Sequence, residues 1–211
     1  MNDKIKKILA SAYYIGGSPC SGKSTITEFI AEKYNLVYYK IDDYEREHIE
    51  KADPEKHPVM YKYSQMSWNE IWMRDVEFQV EEEFEFYRER FEMILNDLNQ
   101  FSRNDRIITE GAALLPELLA KLHIDRGRVI YIIPEKEFQI KHYSQRDFIR
   151  EILAECEEPE KAFANWMERD HLFGKKVKQQ AENTGYKVIE VDGSNTIEEN
   201  IQLVCQFFNL K

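Results

Sequence analysis

The sequence predicts an α/β fold built on a parallel sheet, and three observations carry that expectation. Five short runs are rich in β-branched and aromatic residues, helical patterns separate them, and a glycine-bearing turn joins the first run to a helix. The runs are Ala12–Ile15, Leu36–Ile41, Arg106–Thr109, Arg128–Ile133 and Lys187–Val191. Near-continuous apolar runs of this length suit strands covered on both faces. Helical crossovers between them argue that neighbouring strands run parallel. The 211 residues show no repeat and no low-complexity tract, which fits a single domain over 1–211.

Taken in order, the amino end (residues 1–10) has a charged start and a short apolar stretch before Gly16. It reads as the approach to a first strand, not as a signal peptide. A helix is expected over Thr25–Tyr34. More than sixty residues, Asp42–Asp105, separate the second and third runs, too many for a simple crossover. They hold one long helix, because Val76, Val80, Phe84, Tyr87, Phe91, Ile94, Leu95 and Leu98 step by threes and fours. Glu81, Glu82 and Glu83 on that helix, which also carries Arg88 and Arg90, read as a solvated face, with a metal site as the alternative. Between the fourth and fifth runs the pattern predicts two helices broken near Glu157-Glu158-Pro159, with Pro159 starting the second. The last helix has Asn195 or Thr196 as its cap and buries Ile197, Ile201, Val204, Phe207 and Phe208.

Composition narrows the function. Twenty-nine basic and thirty-nine acidic residues give a net charge of −10, which repels phosphate backbones and argues against general nucleic-acid binding. No apolar run approaches the roughly 18 residues that span a membrane. Three widely spaced cysteines, Cys20, Cys156 and Cys205, argue against disulfides and zinc and favour a reducing cytoplasm.

One motif carries chemistry. Gly17-Ser18-Pro19-Cys20-Ser21-Gly22-Lys23-Ser24 matches G-x-x-x-x-G-K-[ST] at every fixed position, between a predicted strand and a predicted helix. Such a loop turns successive backbone N–H groups inward around a phosphate, and the helix it opens aims its positive end at the same anion. The site then runs from Gly17 to Thr25, with Lys23 reaching the terminal phosphates of ATP and Ser24 ligating Mg2+. Cys20, inside the loop, predicts sensitivity to thiol reagents.

The chain has no N-K-x-D segment, and its third run ends in Thr109-Glu110-Gly111 in place of Asp-Glu. It resembles the nucleoside and nucleotide kinase branch of the P-loop proteins. The phosphate loop, Asp42-Asp43-Tyr44, Glu110-Gly111 and an arginine-bearing helical segment carry the resemblance. It implies a five-stranded parallel sheet of order 2-3-1-4-5, a helical acceptor-site insertion over about 44–105 and a lid over about 135–184. It also implies that Asp42 contacts the acceptor hydroxyl and takes its proton; the alternative is a helix cap. An acidic residue at Glu110 stands near the metal or the acceptor, again with a cap as the alternative. Lys141, Arg146 and Arg150 share one predicted helix and Arg169 lies on the next; Arg146 and Arg150 are expected over the transferring phosphoryl group. Tyr61, Tyr63, Trp68, Trp72, Arg74 and Arg88 fall in the acceptor insertion, where core packing of the tryptophans competes with stacking on a ring. His48 and His57 take no role. Asp192-Gly193-Ser194 stands where relatives contact the adenine.

The resulting expectation is an ATP- and Mg2+-dependent kinase for a small-molecule acceptor. The alternatives are a polynucleotide or sugar-nucleotide kinase and a non-catalytic ATP-binding regulatory module.

Overall fold

The computed structural model describes residues 2–210. It opens with helix α1 (Asp3–Ser11), where the sequence pattern suggested only an approach to a strand. The Asn2 side chain caps this helix by accepting the Ile5 N–H at 3.0 Å, and Ile5, Ile8 and Leu9 form its buried face. Strand β1 (Tyr13–Gly17), helix α2 (Lys23–Tyr34) and strand β2 (Val37–Lys40) follow. A 3-10 turn, Ile41–Tyr44, leads into the insertion, which holds α3 (Glu45–Glu50), α4 (Pro58–Ser64), α5 (Trp68–Trp72) and α6 (Val76–Leu98). The long helix is the one the apolar spacing predicts, and Asp75 caps it by accepting the Phe78 N–H at 3.0 Å.

The second half runs β3 (Ile107–Glu110), α7 (Pro116–Lys121), β4 (Val129–Pro134), α8 (Lys136–Tyr143), α9 (Asp147–Ala154), α10 (Pro159–Thr184), β5 (Lys187–Val191) and α11 (Ile197–Phe207). Pro159 opens α10 as expected, since its missing N–H costs nothing in a first turn. Thr196 caps α11 in a reciprocal capping box with Glu199.

All five strands run parallel in the order β2-β3-β1-β4-β5, the order implied by the resemblance. Every residue of β4 is buried, as a strand covered on both faces requires. The alternation of side chains divides the core into two layers. Tyr14, Tyr131 and Ile133 join the layer under α1, α6, α7 and α10, whereas Ile15, Ile130 and Ile132 join the layer under α2 and α11.

Two findings revise the segment after β4. The chain breaks again at Ser144–Arg146, so Lys141, Arg146 and Arg150 do not share one helix. Lys141 lies on α8, Arg146 is the residue that precedes α9, and Arg150 lies within α9. Helix α10 buries Ala162, Trp166, Met167, Phe173, Val177 and Ala181 and packs on α6, α7 and β4. Of the segment expected to form a lid, α10 is therefore part of the core, and α8 and α9 lie at the edge of the site.

Candidate active site

Strand β1 delivers the chain to the loop at the carboxyl edge of the sheet, where open α/β folds bind ligands. Gly17 has φ +133°, and a Cβ there would lie 2.0 Å from the Ile132 carbonyl oxygen, so only glycine lets β1 and β4 stay paired at the loop entrance. Lys23 opens α2 nearly buried. Its ammonium donates to the Ser18 carbonyl at 2.7 Å and reaches the Ser21 hydroxyl at 3.4 Å. Burial pulls its pKa below the ordinary lysine value, and the Glu110 and Asp42 carboxylates oppose that pull.

Glu110 ends β3 and is fully buried. The Tyr38 hydroxyl donates to its Oε1 at 2.8 Å, the Ser24 hydroxyl faces the same carboxyl, and Oε2 has no partner. Burial raises its pKa above the ordinary range, against the attraction of Lys23. The sheet register explains its neighbours. Lys40 pairs with Glu110 across β2 and β3, which puts Asp42, two residues on, at the same edge. The Asp42 Oδ1 lies 3.4 Å from the point a Cβ on Gly111 would occupy. Neither Asp42 nor Asp43 makes a capping hydrogen bond, and Asp43 pairs with Lys40 at 3.0 Å. Glu110 is no cap either, because α7 begins only at Pro116.

Sequence reasoning missed the clamp that holds this segment. Arg90 on α6 is fully buried and donates to the Ile41 carbonyl at 2.6 Å, the Glu45 carboxylate at 2.6 Å and His48 Nδ1 at 3.0 Å. His48 Nε2 lies 2.9 Å from Asp97, which also accepts the Tyr39 hydroxyl at 2.5 Å. Because Nδ1 accepts from a guanidinium, the His48 proton sits on Nε2. Burial, together with Arg90, pushes the His48 pKa below its ordinary value. The available signal was Arg90 itself, three residues past Tyr87 and four before Ile94, on the apolar stripe of α6.

A cavity of about 220 Å³ opens beside the loop residue Pro19. Trp68, Trp72 and Phe86 from the insertion and Tyr143, Phe148 and Trp166 from beyond β4 contribute its aromatic walls. Trp72 and Trp166 stack at 4.1 Å between centroids with 12° between planes, and the Arg169 guanidinium lies 4.9 Å from the Trp72 ring. The tryptophans thus both pack and line the cavity. Of the other insertion residues, Tyr63 and Arg74 reach the cavity. Tyr61 is exposed, and Arg88 is taken by Glu117 at 2.6 Å and by Glu85.

The acidic run on α6 is not one solvated face. Glu82 lies at the cavity between Arg74 and Lys62, the latter at 2.6 Å, and Glu83 pairs with Arg169. Only Glu81 pairs at the surface, with Lys176 at 2.5 Å. Arg169 also lies 2.7 Å from Asp170, whose buried carboxyl is pushed above its ordinary pKa by desolvation. Arg169 is therefore a fixed, paired residue of the wall and not an arm of a lid.

Arg146 is exposed, 5.1 Å from the Tyr143 ring and 5.9 Å from Phe148, and its charge acts on Cys20 and Lys23. Arg150 is exposed one turn into α9 and pairs with no loop residue among those described. Cys20 is buried and its thiol is pushed up to about 11, so the expected sensitivity to thiol reagents does not fit its surroundings. The Asp192–Ser194 turn closes on itself at 2.8 Å, with Gly193 against Phe138, and the following Ile197 approaches Gly22. The turn after β5 thus neighbours the phosphate loop.

Solved structures similar to this chain include a shikimate kinase from Aquifex aeolicus vf5, at 18% identity over 94% of this chain and 96% of that one, with a TM-score of 0.39. Another is a protein from Chloroflexus aurantiacus j-10-fl described as a putative kinase, at 13% identity over 93% and 97%, with a TM-score of 0.41. No family model matches the chain, and no curated protein matches it. At such identities no residue role transfers. The chemistry of the site rests on its own side chains.

Proposed function

We propose that the protein is a kinase that transfers the terminal phosphoryl group of ATP to a hydroxyl of a small molecule. The juxtaposition of loop and cavity carries this reading. Pro19 belongs to both, Asp42 and Glu110 act on the loop lysine, and Glu45, one turn past Asp42, lines the cavity. Inward-facing amides from Gly17 to Thr25, the Lys23 ammonium and the positive end of α2 hold the triphosphate. The Ser24 hydroxyl and the unpartnered Glu110 oxygen are hard donors suited to magnesium, with Asp42 beside them. Magnesium supplies charge neutralisation on the phosphate oxygens.

Asp42 orients the acceptor hydroxyl and takes its proton as the new oxygen–phosphorus bond forms. The bond from the terminal phosphorus to the bridging oxygen breaks, and ADP leaves. Arg146, exposed and near the loop, covers the charge on the transferring group, and the segment that carries it limits entry of water. The three cysteines are free and buried, which suits work in a reducing compartment. No helix among the described residues is long and apolar enough to cross a membrane.

The test is ADP release with ATP, magnesium and a panel of hydroxyl compounds. Acceptor-stimulated turnover is expected to fall by about 100-fold or more in Lys23→Ala and Asp42→Asn. Arg146→Ala is expected to lower kcat about tenfold or more with little change in acceptor KM. ATP binding without stimulation by any acceptor would instead point to a regulatory module.

A further inference from the structure

Resting on that reading, we infer that the acceptor is an uncharged, ring-bearing alcohol, not an acid or a phosphorylated compound. The cavity beside Pro19 is charged but neutralised. Its lining cations are Lys62, Arg74 and Arg169, and its lining carboxylates are Glu45, Glu82 and Glu83. Glu82 takes Lys62 and Arg74, Glu83 takes Arg169, and Glu45 is held by Arg90 from behind the wall. An anionic acceptor would find no lining cation without a carboxylate beside it. It would enter a lining whose three cations are each already matched by a carboxylate, and would have to share or displace one of them.

The remaining surface suits a neutral polar ring. Trp68, Tyr63, Phe86 and Phe148 offer flat apolar faces. Gln79, on the same wall and 4% exposed, donates from Nε2 to the Arg74 carbonyl at 2.9 Å, and its Oε1 is left without a partner. The Nε1–H of Trp72 is also unpartnered, whereas that of Trp166 faces the buried Asp170 carboxyl. The wall thus holds one neutral acceptor and one neutral donor with no partner, which match the edge of a heterocycle or polyol. At the loop end, Glu45 lines the cavity one turn past Asp42, and carboxylates receive hydroxyl donors.

The chain has three tryptophans, Trp68, Trp72 and Trp166, and all three line this cavity, so intrinsic fluorescence reports its occupancy. The full chain is titrated with two matched pairs: thymidine against thymidine 5′-monophosphate, and myo-inositol against shikimate. In at least one pair the uncharged member is expected to change the emission and to half-saturate at a concentration about tenfold lower than its anionic counterpart. Equal or tighter binding of the anionic members overturns the inference and leaves phosphoryl transfer standing; so does an emission unchanged by all four compounds. Binding of an uncharged member without stimulated ADP release would sink the transfer reading and leave the cavity's preference intact. Glu82→Gln leaves Lys62 and Arg74 without their shared carboxylate and is expected to tighten the anionic member about threefold or more relative to the neutral one. An unchanged ratio in that variant contradicts the role given to the charge pairs.

Discussion

His48 shows how much a single residue can hold when its neighbours leave it no choice of protonation. Its Nδ1 accepts from Arg90 and its Nε2 faces Asp97, so a second proton would point at a guanidinium. The folded-state pKa lies below the ordinary value of 6.5, first because of burial and then because of Arg90. Above that ordinary value both folded and unfolded chains carry a neutral imidazole, and the contribution to stability is present. As pH falls below it, the unfolded chain takes the proton first and stability drains away until the lowered folded value is passed. The thermal midpoint is therefore expected to drop between about pH 7.5 and pH 5.5, and to drop by a few degrees less in His48→Gln. Equal drops in the two proteins would contradict this assignment. No role for His48 is legible from sequence, because its partners lie forty-two and forty-nine residues away. A histidine in a polar stretch looks the same whether it is solvated or enclosed.

Among the elements, α6 and α10 frame the site from outside the sheet. Helix α6 supplies Arg90, which ties down the Ile41–His48 segment that presents Asp42. Arg90→Ala strands the Ile41 carbonyl and His48 Nδ1 and leaves a buried gap, and a cost of about 3 kcal/mol is expected, roughly 10 °C in thermal midpoint. Acceptor turnover should fall further than ATP affinity, because the damage lies at β2 and not at the loop. Loss of ATP affinity alone would argue against this link. Helix α10 meets the loop at Gly174, where a Cβ would stand 2.7 Å from the Ser18 Oγ. Gly174→Leu is thus expected to weaken ATP binding about tenfold while far-ultraviolet circular dichroism stays unchanged. Unaltered ATP affinity would show that α10 does not shape the loop. Strands were legible from sequence because burial on both faces leaves long apolar runs; the whole of β4 is one. Helix α1 was not, since only Ile5, Ile8 and Leu9 mark its face among lysines. The break at Ser144–Arg146 carries neither glycine nor proline, so no local signal marks it; α8 and α9 on its two sides both pack on α10.

At the scale of the molecule, the loop, the parallel sheet and its strand order were all within reach of the sequence, because each has a local signature or follows from a resemblance. The cavity was not. Its walls come from the insertion after β2 and from the segment after β4, and the Glu83–Arg169 pair joins α6 to α10. No local pattern announces which carboxylate will neutralise which cation across such a distance, so Glu82 and Glu83 passed for solvated charges. The chain as a whole carries −10, yet its phosphate loop keeps the buried Lys23 and the neighbouring Arg146 at one edge of the sheet. A triphosphate tail brought to this edge would meet both cations and the loop amides, and magnesium would offset the Glu110 and Asp42 carboxylates beside them. Titration calorimetry of the full chain with ATP and magnesium tests it most directly. One saturable site in the wild-type protein, weakened about 100-fold or lost in Lys23→Ala, is the expected result. No heat from the wild type, or the same isotherm from both proteins, would contradict the account.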